Sequence, residues 1–313
     1  MTRDLQDRVA IVTGAGRGVG RAHAHELAAL GARVVVNDLG TAGDGSGGAH
    51  GPAEQVCAEI RAAGGEAVPD FGDVADEAAS AALIARAVDT FGRLDVLVCN
   101  AGIIRGGPLQ DISVEQWDLM SAVNLRGHFL PVREAARYWS GRAAESGQRV
   151  YGSIVLTASR AGLVGSQGQL DYAATKAGIA AMAVVIAREL APIGVRANAV
   201  CPRGRTRMTA GAPGYEAPIG DGFDVKAVEN NSAMVGYLAS PLSADVSGQV
   251  FVVGEDNVQW MRGWTQQGEL RKPHARLTVA EIDSGARVLF SDRPTQPSEG
   301  LALPTTGGSP EAP

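Results

Sequence analysis

Short apolar runs alternate along this chain of 313 residues with longer stretches in which apolar positions recur at helical spacing. The runs at residues 9–12, 33–37, 67–71, 96–99, 152–157, 196–200 and 249–253 have the length and composition of strands. A helical pattern runs up to Leu30, and others cover 54–63, 77–91, 114–138 and 172–190. Strands separated by helices predict an α/β fold, a doubly wound parallel sheet of Rossmann type. Two regions break the rhythm. Residues 40–52 are rich in glycine without an apolar period and are expected to form a surface loop after the second strand. From about Gln266 the composition drifts. A capped helix is expected at 278–287, and the Pro/Gly/Ser/Thr-rich stretch 292–313 is expected to be disordered or loosely packed. The chain therefore divides into one domain over 1–265 and a C-terminal extension over 266–313. No internal repeat is visible.

Composition narrows the function classes. Residues are 45% hydrophobic and 20% charged, enough to bury a sizeable core. A net charge of −6 gives no reason to expect nucleic acid or an anionic membrane as partner. No segment approaches 18 uninterrupted apolar residues, so no bilayer span is expected, and no apolar leader follows the first residues. Cys57, Cys99 and Cys201 are widely spaced, and the last two lie in apolar runs that favour buried free thiols. A cytoplasmic setting is the expectation. His23, His25 and His128 sit in helical stretches without a metal-ligand pattern, so no metal is expected.

The candidate chemistry lies in two places. After the first apolar run comes Thr13-Gly14-Ala15-Gly16-Arg17-Gly18-Val19-Gly20, leading into a helical pattern. Strand, glycine-rich turn and helix in that order suit a dinucleotide, because glycines let the backbone approach a pyrophosphate and the helix N-terminus offers free N–H groups. Arg17 in that turn either reaches a phosphate or is solvated. Asp38 ends the second strand about 20 residues beyond the glycines. A carboxylate there accepts from a ribose 2′-hydroxyl and repels a 2′-phosphate, which favours NAD over NADP. The second place is LDYAATKAGIA, where Tyr172 and Lys176 lie about one turn apart on one helix face. A cation beside a phenol favours the phenolate and lowers a pKa that is otherwise near 10. Such a pair can serve as an acid–base.

With these motifs the chain resembles the classical short-chain dehydrogenase/reductase family. Gly14, Gly18 and Gly20 match its glycine pattern, and Asn100-Ala101-Gly102 matches its N-A-G element, which supports the central sheet near the adenosine. Gly72-Asp73-Val74 matches its D-V element, whose acid contacts the adenine. Asn124 in VNLRG resembles the catalytic asparagine, and Ser159 stands thirteen residues before Tyr172, at the serine spacing of the family. The resemblance covers roughly residues 7–264. Its first half, with VNDLG and the inserted glycine-rich loop, is most similar to the 3-hydroxyacyl-CoA dehydrogenase domain of peroxisomal multifunctional enzymes. The resemblance implies that Tyr172 exchanges a proton with the substrate oxygen and that Lys176 also binds the nicotinamide ribose. It further implies that Ser159 orients the oxygen and that Asn124 holds a relay water. It implies a homodimer or homotetramer.

The sequence departs from the family after the sixth strand. The usual P-G pair is replaced by Pro202-Arg203-Gly204-Arg205-Thr206-Arg207-Met208-Thr209. Thr206 matches the threonine that contacts the carboxamide if T-x-M-T sets the alignment. Arg203, Arg205 and Arg207 either meet an acidic substrate group or are solvated. The glycine-rich turn after the last strand reads Gly254-Glu255-Asp256, near a subunit contact in the family. The reading is an NAD-dependent oxidoreductase acting on a small-molecule secondary alcohol or ketone, such as a 3-hydroxyacyl thioester or hydroxysteroid. The alternatives are an NADPH-linked 3-oxoacyl reductase, which Asp38 opposes, and a non-catalytic dinucleotide-binding sensor or assembly subunit, which needs none of the four catalytic candidates.

Overall fold

A computed structural model describes residues 4–209, 215–216, 222–266 and 268–289. They divide into two compact units, one through Met261 and one from Arg262 onward, four residues before the boundary expected from composition. Among the described residues the first unit carries one sheet of eight strands in the order β3-β2-β1-β4-β5-β6-β7-β8. These are β1 Val9–Thr13, β2 Arg33–Asn37, β3 Glu66–Asp70, β4 Val96–Cys99, β5 Gly152–Thr157, β6 Val195–Arg203, β7 Val250–Gly254 and β8 Asn257–Met261. The first seven pair in parallel and β8 pairs antiparallel with β7. The doubly wound parallel sheet expected from the pattern is present. The eighth strand was not expected. Its residues are largely exposed and only Val258 and Trp260 alternate with polar neighbours, so it has no continuous apolar run. The departure Gly254-Glu255-Asp256 is the hairpin turn that makes it possible, with Gly254 at φ 129° and Glu255 at φ 58°.

Helices cover both faces, which is why the central strands are apolar throughout. In β1, Val9 and Ile11 face α3 (Glu77–Phe91), α5 (Gly127–Ser146) and α7 (Leu170–Leu190), in a core with Leu83, Trp139, Ile179 and Ala183. Ala10 and Val12 face α1 (Gly18–Ala29), α2 (Gly51–Ala62) and α8 (Ser232–Ala239), with Leu27, Ile60, Val235 and Leu238. That alternation is the two-residue period of a strand resolved into two buried faces. Helix α7 is long and apolar enough to cross a membrane by length and composition alone, yet Ile179, Ala180, Ala183 and Ala187 are buried on the sheet. Cys57, Cys99 and Cys201 are free and buried.

Three local features refine the sequence reading. The helical stretch 114–138 is two helices, α4 (Val114–Met120) and α5, joined by a π-helical turn at Ser121–Arg126. A short helix α6 (Arg160–Val164) follows β5, capped by Ser159. The glycine-rich stretch after β2 is held in place: Ile104 N donates to Gly43 O at 3.2 Å and Arg105 Nε to Asp44 O at 3.0 Å. The sheet order places a switch point between β1 and β4, because the chain winds outward through β2 and β3 and then returns to the other side of β1. The crevice beyond the carboxyl ends of these two strands is where ligands bind in open α/β sheets.

The second unit contains α9 (Val279–Leu289), close to the expected helix. Thr278 N and Oγ1 donate to Glu281 Oε2 at 2.7 and 2.8 Å, and Glu281 N donates back to Thr278 Oγ1 at 3.3 Å, forming a capping box. The stretch 292–313 lies outside the described residues.

Candidate active site

The glycine-rich turn is welded to the end of β4. Thr13 Oγ1 accepts from Asn100 N at 2.9 Å and Ala101 N at 3.1 Å, while Asn100 Nδ2 donates to Thr13 O and Gly14 O at 3.0 and 3.1 Å. A Cβ on Gly14, at φ 61°, would fall 2.7 Å from Ala101 Cα, and one on Gly20 would collide with Gly14 O. Both positions require glycine. Gly18 is different: at φ 54° it opens toward Thr206, whose Cγ2 would stand 3.7 Å from an added Cβ. The helix that follows begins at Gly18 with no side chain capping its first N–H groups, so those donors, with Val19 among the first residues, remain for a ligand. Arg17 donates to Thr41 O at 3.2 Å, a third outcome beside the two open in sequence.

The adjacent carboxylates are also fixed by backbone. Asp38 Oδ2 accepts from Gly16 N at 2.7 Å and Oδ1 from Gly40 N at 2.6 Å, which holds the carboxylate at the rim of the turn. Exposed Asp73 accepts from Ala75 N at 2.8 Å, and buried Val74 packs where a Cβ on Gly127 would touch it. The structure thus gathers Gly14, Arg17, Gly18, Val19, Gly20, Asp38, Asn100, Ala101 and Gly102 at the β1/β4 switch point, with Thr206 facing Gly18 from the segment after β6.

Ser159, Tyr172, Lys176 and Asn124 come from three other elements. Ser159 Oγ accepts from Ala161 N at 3.2 Å and hydrogen-bonds the Tyr172 hydroxyl. Lys176 is buried and donates to Thr157 O at 2.8 Å, with its ammonium 5.6 Å from the centre of the Tyr172 ring. Asn124 lies in the π-helical turn, where Oδ1 accepts from Ile103 N at 2.9 Å and Nδ2 donates to Ile103 O at 3.1 Å. A Cβ on Gly102 would lie 3.0 Å from Asn124 Oδ1 and 3.5 Å from Lys176 Nζ, so the asparagine, the lysine and the N-A-G turn meet at one point.

The phenol was expected to be pulled down by the lysine together with the positive ring of an oxidised nicotinamide, and the lysine by itself does not do so. Instead burial dominates, pushing Tyr172 up to about 12 against the Ser159 hydrogen bond, and pushing Lys176 down to about 8. The ammonium is turned toward a backbone carbonyl, and removal from water penalises both charged forms. Near neutral pH the tyrosine is therefore a phenol, and the lysine titrates at about 8. His23 and His128 are held neutral by burial, at about 3. Among the described residues no group of three His, Cys, Asp or Glu could hold a metal ion.

Sequence reasoning missed three supporting residues. Thr13 ties the turn to β4. Asp171 accepts from Tyr172 N and Gln116 Nε2, both at 2.7 Å, and fixes the start of α7. Thr175 Oγ1 donates to Tyr172 O at 2.8 Å and lies 3.4 Å from Asn124 Nδ2. Asp171 directly before the tyrosine was the available signal. Of the three arginines after β6, Arg203 pairs with Glu255 at 2.9 Å and Arg205 forks onto Asp224 at 2.8 and 2.9 Å, while Arg207 is exposed. Arg203 therefore ties the end of β6 to the turn between β7 and β8, and Arg205 braces the segment after β6, instead of being solvated.

The short chain dehydrogenase family profile matches residues 8–213. The chain belongs to the short-chain dehydrogenase/reductase family. It is 46% identical over 254 residues to the hydroxyacyl-CoA dehydrogenase ChsB1 of Mycobacterium tuberculosis, covering 80% of this chain and 78% of that one. It is 42% identical over 204 residues to the peroxisomal multifunctional enzyme type 2 of Drosophila melanogaster, covering 65% of this chain but 32% of that longer protein. A crystal structure of a short chain dehydrogenase from Mycobacterium avium superposes with a TM-score of 0.81 at 44% identity, over 92% of this chain and 95% of that one. As a short-chain dehydrogenase it is an oxidoreductase of a family that binds a nicotinamide dinucleotide.

Proposed function

We propose that this short-chain dehydrogenase uses NAD to oxidise the secondary alcohol of a 3-hydroxyacyl thioester, or reduces the corresponding ketone. The convergence of Asn124, Ser159, Tyr172 and Lys176 at Gly102, beside a turn with uncapped helix N–H groups, carries this reading. The residues fit the cofactor. Gly14, Gly18 and Gly20 would clear the path of its phosphates, Asp38 would take the adenosine ribose hydroxyls, Asp73 and Val74 would flank the adenine, and Thr206 would hold the carboxamide. When bound, the oxidised nicotinamide supplies a hydride acceptor and a positive charge.

That charge bears on the phenol. Tyr172 starts as a phenol at about 12 and must lose its proton before it can serve as a base. A nearby cation, together with Ser159 donating to the phenolic oxygen, would favour the phenolate. Lys176, at about 8, carries a proton near neutral pH, and Asn124 fixes the turn through which the proton leaves. Tyr172 then accepts the carbinol proton as hydride departs from the same carbon, and Ser159 stabilises the developing oxygen charge. In reduction the steps reverse. ChsB1 being named a hydroxyacyl-CoA dehydrogenase supports the thioester as the substrate class.

Asp38 supports NAD over NADP, since its carboxylate is pinned by Gly16 and Gly40 with no cation paired to it among the described residues and Arg17 donates to Thr41 O. Dissociation constants for both cofactors test this. NAD should bind tighter, Asp38→Ala should narrow the gap, and equal or tighter binding of NADP by the wild type would overturn the assignment. A screen of hydroxyacyl-CoAs, hydroxysteroids and plain secondary alcohols, read by formation of reduced cofactor, tests the substrate class.

A further inference from the structure

Two departures from the family pattern, Arg203 and Glu255, lie 52 residues apart in the chain and meet in the fold. Arg203 Nη1 donates to Glu255 Oε2 at 2.9 Å, while its Nη2 donates to Gly254 O at 3.2 Å and Asn257 Oδ1 at 2.6 Å. The other carboxylate oxygen of Glu255 accepts from Lys226 Nζ. One carboxylate thus holds two cations that are themselves mostly buried, and its removal would leave both without that counter-charge. Glu255 makes these bonds from a left-handed backbone at φ 58°, a conformation that favours glycine. A glutamate kept where glycine is easier points to a use for its carboxylate. The two cations stand at the two ends of one stretch of chain. Arg205 N donates to Lys226 O at 2.7 Å, so the ends meet there. Only Gly204 and Arg205 separate Arg203 from Thr206, whose Cγ2 would lie 3.7 Å from a Cβ on Gly18. Thr206 is set from this anchored end. Its N donates to Thr209 Oγ1 at 2.8 Å, and Thr209 Oγ1 donates to Gly204 O at 3.0 Å.

We propose that Glu255 is a positioning residue for the nicotinamide end of the cofactor, holding Arg203 and Lys226 together so that Thr206 faces the glycine turn at one fixed place. The proposal rests on the reading above in which Thr206 would hold the carboxamide. Glu255 acts through Arg203 and the two residues that lead to Thr206. The adenosine end is fixed by other bonds, those of Asp38 with Gly16 and Gly40 and of Asn100 with Thr13 and Gly14. Loss of the Glu255 carboxylate is therefore felt by the nicotinamide half of the cofactor and not by the adenosine half.

The test compares the affinities of the full chain for NAD and for ADP-ribose, which lacks the nicotinamide. Glu255→Gln keeps the length of the side chain and removes its charge. It should weaken NAD by about tenfold, the scale of one hydrogen bond, and leave ADP-ribose near the wild-type value. Glu255→Asp retains a carboxylate and should restore part of the loss. Thr206→Val should weaken NAD in the wild type and add little beside Glu255→Gln, because the group it removes is then already misplaced. Equal losses of NAD and ADP-ribose in Glu255→Gln would show a general structural role and overturn the proposal. Unchanged NAD affinity, or fully additive losses in the double variant, would overturn it as well. If Thr206→Val leaves NAD binding untouched, the carboxamide reading fails and the proposal with it. If Thr206→Val weakens NAD alone and Glu255→Gln does not, only the role of Glu255 falls. A thermal melt of each variant reports the fold. Should Glu255→Gln not fold, Arg203→Lys, which keeps the charge and loses the fork onto Gly254 O and Asn257, is read on the same two ligands. It should give a smaller loss confined to NAD, and a loss shared equally by ADP-ribose would overturn the proposal.

Discussion

The two ends of the crevice are built on opposite principles. At the dinucleotide end the polar side chains are already held by backbone, with the first N–H groups of α1 left for a ligand: Asn100 and Thr13 lock the turn, and Gly16 and Gly40 pin Asp38. Around the reacting end, groups are buried at a cost. Tyr172 and Lys176 are pushed away from their ordinary proton affinities, His128 is held neutral by burial, and Thr157 Oγ1 is buried with no hydrogen-bond partner among the described residues. The first end recognises by preset shape. The second stores its function as displaced proton affinity, which a bound cation and substrate oxygen can relieve. Damage should therefore appear as lost binding at one end and lost turnover at the other.

The largest expected effect is at Tyr172. Tyr172→Phe removes only the proton-transfer oxygen and should lower kcat by about 10²–10⁴-fold while leaving NAD affinity near that of the wild type. Retention of a tenth of the turnover would remove Tyr172 from the role of acid–base, and a parallel loss of NAD binding would blur the division between the two ends.

Lys176 gives the next effect, read as stability. Its folded pKa of about 8 lies below the ordinary 10.5, so between these values the unfolded chain binds more protons than the folded one. Stability from this group must rise with pH through that window and stay flat below it. The difference in unfolding free energy between wild type and Lys176→Met, followed from pH 8 to 10.5, should move in favour of the wild type by about 3 kcal/mol. Parallel curves would mean the buried ammonium is not displaced.

How much of this was legible in the chain follows from the same division. The apolar runs gave the central strands because helices cover both sheet faces, and the glycine turn with Asp38 gave the dinucleotide end because its geometry is local. Strand β8 was hidden, since half-exposed residues at a sheet edge need no apolar run. The π-helical turn at Asn124 was hidden because a widened turn leaves the helical period of 114–138 almost intact. The balance between burial and charge at Tyr172 could not be read from a spacing of four residues, since it depends on where Lys176 Nζ points. The pairing of Arg203 and Arg205 depends on Glu255 and Asp224, far along the chain, and was invisible for the same reason.

Gly20→Ala probes the preset end. The added methyl would meet Gly14 O and the Asn100 amide, so the turn must shift off β4. Overpacking of this kind costs about 1–3 kcal/mol of stability, and NAD affinity should fall with it. Unchanged NAD binding would show that the turn is more plastic than its hydrogen bonds suggest.

The smallest effect belongs to the second unit, where neither preset geometry nor buried charge is at work. Helix α9 has no buried residue among those described, and its N-terminus is held by Thr278 and Glu281, with Lys272 donating to Glu281 Oε1 at 2.6 Å. Thr278→Ala removes one half of that box and should cost about 1 kcal/mol locally. Because α9 buries nothing, that loss should appear as faster amide exchange at Glu281 and Ile282 and leave the global melt and turnover unchanged. A lowered melting temperature would mean that α9 is part of the cooperative fold, and the contrast between two kinds of site would have to extend to a third surface that supports them both.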